Sequence, residues 1–114
     1  MRIRARPSRG DVFLIRCSDS VGSEQNGIRP AVVIQNNRNN RSSPTTIMAM
    51  ITSQEKKKMP VHVKLDNPNL KQNSCVLLEQ VRTVSVDRLE KYICTLDESE
   101  MTRINRALKI SLAV

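Results

Sequence analysis

Short apolar runs fill most of the chain, and one amphipathic stretch closes it. Runs at 12–15, 31–34, 47–51, 61–65 and 76–78 are brief, rich in β-branched residues and separated by Gly, Pro, Asn or Ser clusters. Such runs predict strands. Val61, Val63 and Leu65 alternate with His62 and Lys64, which places the first three on a core face and the other two opposite. Ala31 to Ile34 does not alternate and reads as a strand buried on both faces. Residues 81–84 extend the strand at 76 past Glu79 and Gln80. A helical turn at 86–89 and a last short strand at 93–96 follow. Asp97 stands three residues before Glu100 as in a capping box, and Met101, Ile104, Leu108 and Leu112 then recur at helical spacing. A helix over 98–111 is expected, with its apolar stripe on the sheet and Arg103, Arg106 and Lys109 as a solvated row. Loops at 18–30, 35–44 and 53–60 are long for a chain of 114 residues, and long loops on a small sheet carry function.

The pattern gives a mainly β domain with one C-terminal helix, and composition narrows what it can do. No window approaches the ~20 apolar residues of a membrane span, and the basic start lacks the apolar core of a signal peptide. A protein without membrane contact is expected. Cys17, Cys75 and Cys94 are an odd set with no C-x-x-C pair, which speaks against disulfides and structural zinc. His62 is the single histidine, so a mechanism needing two imidazoles from one subunit is excluded. P-loops, dinucleotide fingerprints, zincin motifs and nucleophile elbows are absent. No metal site and no cofactor are expected.

Net charge is +8, and residues 1–86 carry all of the excess, with 14 basic against 6 acidic side chains. That imbalance suits a surface facing a polyanion. Each cluster taken alone, such as Arg2, Arg4, Arg6 and Arg9 or Lys56 to Lys58, reads equally as a solvated tail or loop tip. With one Phe, one Tyr and no Trp, base stacking cannot be the main source of affinity for a nucleic acid. Phosphate contacts and small polar groups must supply it.

Arg29 is the best single candidate for such a contact, because Pro30 holds it extended at the entrance of the strand at 31–34. Its planar fork of donors suits a phosphate, though a surface pair with Glu24 or Asp11 explains it as well. His62 reads as a surface or loop-bonded residue rather than a ligand.

Taken together, RGDV at 9–12, GSEQNGIRP at 22–30, QNN at 35–37, SPTT at 43–46, ITSQ at 51–54, MPVHV at 59–63, LLEQVRT at 77–83 and the Ala-Leu-x-Ile-Ser-Leu end at 107–112 resemble the MazF and PemK toxin family. The resemblance runs from residue 9 to the end, and makes 1–8 a flexible basic arm ahead of a single domain at 9–114. It implies a small SH3-like β-barrel with a C-terminal helix, a homodimer, and a prokaryotic cytoplasmic toxin that an acidic, MazE-like antitoxin neutralises. The implied activity is metal-independent, sequence-specific cleavage of single-stranded RNA. Arg29 and Thr52 match the family's catalytic positions. Ser23, Gln25, Asn36, Ser53, Met59, Pro60 and Gln80 fall where members line the RNA groove. Asn26 replaces a frequent glycine, and the loop at 35–43 carries Arg38 and Arg41 but lacks the usual glycine and aromatic residue.

Cleavage of that kind needs a base for the ribose 2′-OH, stabilisation of charge on the phosphate oxygens, and a proton for the leaving 5′-oxygen. Arg29 and Thr52 supply the second need. Neither is a conventional base. Glu24 is the nearest candidate, and a structural salt bridge accounts for it equally. The rival reading is a CcdB-like toxin with the same barrel that poisons a topoisomerase by binding and cuts nothing.

Overall fold

The computed structural model describes residues 6–17, 27–54 and 58–114. In chain order they form β1 (Asp11–Cys17), β2 (Gly27–Val33), the short helix α1 (Asn37–Asn40), β3 (Thr45–Thr52), β4 (His62–Lys64), β5 (Cys75–Ser85), a 3-10 turn at Val86–Arg88, β6 (Leu89–Thr95) and α2 (Glu98–Leu112). The six strands make one sheet in the order β4-β5-β3-β2-β1-β6, and each pairing is antiparallel. Among the described residues no pairing joins β4 to β6, so the SH3-like sheet is open and these two strands are its edges.

Two apolar clusters follow from the alternation of the strands. Phe13, Ile15, Cys17, Ala31, Val33, Met48, Met50, Val84 and Leu89 pack together on one face of the sheet. Their sequence neighbours Val12, Val32, Ile34, Ala49 and Ile51 point to the other face, where Ile104 and Ala107 of α2 and Val63, Leu65, Val76 and Leu78 cover them. Ala31 to Ile34 is therefore buried on both faces, as its lack of alternation requires.

Helix α2 starts as its sequence predicts. Asp97 accepts the Glu100 N–H at 2.7 Å, and Glu100 accepts the Asp97 N–H at 3.0 Å. Asp97→Ala should cost about 1 kcal/mol, read as a lower urea midpoint at unchanged slope. The far end of the expected stripe differs, since Leu112 is 56% exposed and Ala107 takes its place in the core. The basic row is not simply solvated either, because Arg103 donates to the Lys64 carbonyl at 2.8 Å.

The loop at 35–44 holds a helical turn that the pattern did not predict. Asn36 caps it by accepting the Asn39 N–H at 2.8 Å. Asn40 is 1% exposed; its Oδ1 accepts from Gln35 Nε2 at 2.9 Å and Thr46 Oγ1 at 2.8 Å, and its amide donates to the Gln35 carbonyl at 2.9 Å. A polar side chain satisfied in this way can be buried, and it pins the loop.

Residues 1–5 of the expected arm lie outside the described residues. Arg6, however, donates to the carbonyls of Asn40 and Ser43, and Pro7 is buried. Arg9 donates to the Ile34 carbonyl at 2.8 Å and to Asn105 of α2 at 2.7 Å. These two arginines are neither frayed nor turned toward a polyanion: they tie the chain start to the barrel. Gly10, at φ +97, makes the turn from this segment into β1, its N–H donating to the Val33 carbonyl and its own carbonyl accepting from the Leu96 N–H.

Candidate active site

The register of the sheet brings the two matched positions together. Ala31 stands opposite Met50, and continuing that antiparallel pairing by two residues sets Arg29 opposite Thr52. Thr52 in turn pairs with Cys75, and Cys75 with Lys64. Directly opposed residues share a face, so Arg29, Thr52, Cys75 and Lys64 form one row across β2, β3, β5 and β4. The β2–β3 ladder begins only at Ala31, after Pro30, which has no N–H to give it. A cavity of about 260 Å³ lies at these strand ends, and Ile28, Arg29, Pro30, Ile51, Thr52 and Ser53 line one side of it. Leu70, Lys71 and Ser74, from the segment between β4 and β5, also line it.

The two side chains are prepared differently. Arg29 is exposed at the start of β2, on a strand held by Ile15 of β1 across the ladder. The loop at 18–30 is thus shorter than its polarity suggests, because Gly27–Pro30 already belongs to a strand. Thr52 is only 5% exposed, and its Oγ1 accepts the Gln54 N–H at 3.2 Å. A hydroxyl that already accepts a hydrogen bond keeps its own proton to donate, which suits a phosphate oxygen.

Other expected residues are more scattered. Ser53 is exposed and lines the cavity, while Met59 and Pro60 form an exposed turn into β4, with the His62 N–H bonded to the Met59 carbonyl at 3.0 Å. Gln80 lies within the bulge of β5, where the pairing jumps from Met50 with Leu77 to Ala49 with Val81. Asn36 is outside the cavity; its Oδ1 is spent on the cap, leaving its amide NH₂ exposed. Ser23, Gln25 and Glu24, the candidate base, lie outside the described residues.

The structure adds a residue that sequence reasoning set aside. His62 projects from the same face as the row, and its Nε2 lies 2.7 Å from Glu79 Oε2. Alternation put His62 opposite the core, but only the register shows which residues share that side. Among the described residues no group of three His, Cys, Asp or Glu side chains is placed to hold a metal ion. Burial pushes all three thiols up, against nearby Arg82, Arg29 and Arg88 in the case of Cys17, so none is poised as a nucleophile. No helix among the described residues is long and apolar enough to cross a membrane.

Comparison with known proteins bears on the fold and the family. Residues 8–112 match the family model described as PemK-like, MazF-like toxin of type II toxin-antitoxin system. Endoribonuclease EndoA of Bacillus subtilis is 48% identical over 109 residues, covering 93% of this chain and 94% of that one. The fold is similar to MazF from Deinococcus radiodurans, with TM-score 0.83, 21% identity and coverage of 97% of this chain and all of that one. It is also similar to a mycobacterial endoribonuclease in complex with its cognate antitoxin, with TM-score 0.79, 24% identity and coverage of 95% and 96%. None of these supports the topoisomerase-poison reading. With the family's span matched almost end to end and a relative nearly half identical, the chain belongs to the PemK-like, MazF-like toxins of type II toxin-antitoxin systems.

Proposed function

We propose that this protein is a metal-independent endoribonuclease that cuts single-stranded RNA at a short sequence and acts as the toxin of a toxin-antitoxin pair. The observation that carries this reading is the placement of Arg29 and Thr52 on opposed strands at one cavity, in a chain of this family. In the proposed reaction the ribose 2′-OH attacks the adjacent phosphorus and the 5′-oxygen leaves. Arg29 and the Thr52 hydroxyl stabilise charge on the non-bridging oxygens. Ser53, Met59, Pro60 and Gln80, with Ser23, Gln25 and Asn36, line the groove that selects the sequence. Glu24 is the proposed base.

A chain of net charge +8 that binds RNA also suits an acidic, flexible inhibitor, and the mycobacterial relative was solved with its antitoxin. We therefore extend the proposal to an acidic antitoxin, a homodimeric toxin and action in the prokaryotic cytoplasm. Incubation with a long single-stranded RNA in excess EDTA tests the reaction. Cleavage should persist and leave a 2′,3′-cyclic phosphate and a 5′-hydroxyl, while an all-deoxy strand should survive. A 5′-phosphate product, or cut DNA, overturns the mechanism, since neither can come from a ribose 2′-OH.

A further inference from the structure

We propose that a pocket lined by Arg16, Arg82 and Arg88 binds a run of adjacent phosphates, and that a free polyphosphate held there restrains the enzyme. This pocket is separate from the cavity at Thr52, with which it shares no lining residue. Only the restraint rests on the endoribonuclease reading; the anion site stands or falls by itself.

The lining carries the first argument. Three arginines reach one pocket of about 500 Å³ from β1, β5 and the turn before β6, and among the described residues no acidic side chain lines it. Each guanidinium offers a planar fork to two oxygens, and three forks are more than a lone phosphate fills. Thr45, Thr83 and Ser85 add hydroxyls to the wall. Its apolar members are Ile15 and Val84, with no ring among the lining residues, so a base attached to the phosphates finds nothing to stack on. The arginines are also available. Among the described residues Arg82 and Arg88 form no ion pair, and Arg16 meets Glu90 at 3.3 Å with side chains 60% and 43% exposed. A surface pair of that kind contributes little and yields to a more highly charged anion.

Position carries the second argument. Ile15 of this pocket stands directly opposite Arg29, so the two share a face and lie one strand spacing, about 5 Å, apart. Arg82, opposite Met48, belongs to that face as well. The Cys17 thiol feels the same grouping: burial pushes it up, and Arg82, Arg29 and Arg88 pull against that rise. The spacing from Ile15 to Arg29 is shorter than the screening length of about 8 Å at physiological salt. Negative charge held in the pocket therefore opposes the arrival of an RNA phosphate at Arg29.

Calorimetric titration of the intact protein with inorganic tripolyphosphate at physiological salt tests the site. One anion should bind per chain, and Arg82→Gln and Arg88→Gln should each weaken it about tenfold or more, the loss of one charge-assisted contact. Arg88 is exposed, so its variant serves should the half-buried Arg82→Gln fail to fold. Arg106→Gln, an equal charge change at an exposed position on α2, should leave the affinity unaltered. No saturable binding, or equal weakening in all three variants, would mean general attraction to a chain of net charge +8 and would overturn the site. Orthophosphate binding as tightly as tripolyphosphate would overturn the run of phosphates. A short strand substituted with 2′-fluorine throughout, which has no nucleophile, separates two sources of the anion. A gain in affinity from a 5′-triphosphate end that Arg88→Gln abolishes would identify the end of an RNA as a natural occupant, whereas equal binding of 5′-triphosphate and 5′-hydroxyl strands leaves the free anion. Saturating tripolyphosphate should slow RNA cleavage by the wild type and spare Arg88→Gln at the same concentration, each compared with its own rate without the anion. Unaltered cleavage at saturation would overturn the restraint. If the wild type binds one anion but cuts no RNA, the site stands and the nuclease reading falls.

Discussion

Arg29→Ala is expected to lower the single-turnover rate of RNA cleavage by about 10²-fold or more, the usual cost of removing one preorganised donor from a developing negative charge. Affinity for the uncut strand should fall far less, because the interaction strengthens as charge builds on the phosphate. Arg29→Lys should recover little, since an ammonium cannot present two parallel donors to two oxygens. The exposed position of Arg29 makes the experiment clean: the side chain lies outside both apolar clusters, so its removal leaves the core unchanged. Thr52→Val should slow cleavage too, but at some cost in stability, because the buried hydroxyl also receives the Gln54 N–H. Wild-type rates for Arg29→Ala would remove Arg29 from the reaction altogether.

Asn40→Leu should be the most damaging single change to the fold among those considered, at about 3 kcal/mol. The substitution strands the Thr46 hydroxyl and the Gln35 carbonyl, both buried against an apolar replacement. Gln35 Nε2 keeps a second acceptor, the Thr45 carbonyl at 3.1 Å, and is spared. Pairing Asn40→Leu with Thr46→Val should return part of the loss, because removing both partners of a buried hydrogen bond costs less than removing one. Urea midpoints of the two variants check the sign. A double variant less stable than the single one would mean that Asn40 acts through packing alone.

Strand positions were legible wherever burial imposed a pattern. The apolar runs around Val12, Ala31, Ile47 and Val76 all became strand cores, and Asp97 with Glu100 formed the expected cap. Gly27–Pro30 was unreadable as strand because it is largely exposed, and pairing with β1 alone defines it. The turn at Asn37–Asn40 has no apolar period; one buried amide creates it, and such a network is a tertiary fact. Arg6 and Arg9 misled in the same way, since charge along a sequence does not tell a guanidinium facing solvent from one facing carbonyls. Arg29 was marked as a candidate by Pro30 at the strand entrance, whereas Thr52 was marked only by a family motif. His62 was correctly turned away from the core, but its neighbourhood depends on a register that no local spacing encodes.

The same sheet order has a consequence for the timing of assembly. Strand β1, which backs Arg29 on one side, takes its other neighbour from β6, and Arg9 just ahead of it is fastened to Asn105 in the closing helix. Strand β1 therefore waits for β6 and α2, which come after every other strand in the chain order described, before its place in the sheet is complete. Folds dominated by such distant pairings form slowly for their size. The strand that backs Arg29 therefore lacks one of its two neighbours until β6 is in place, so the row that sets Arg29 opposite Thr52 is completed by pairings far apart in sequence rather than by the local turns around it.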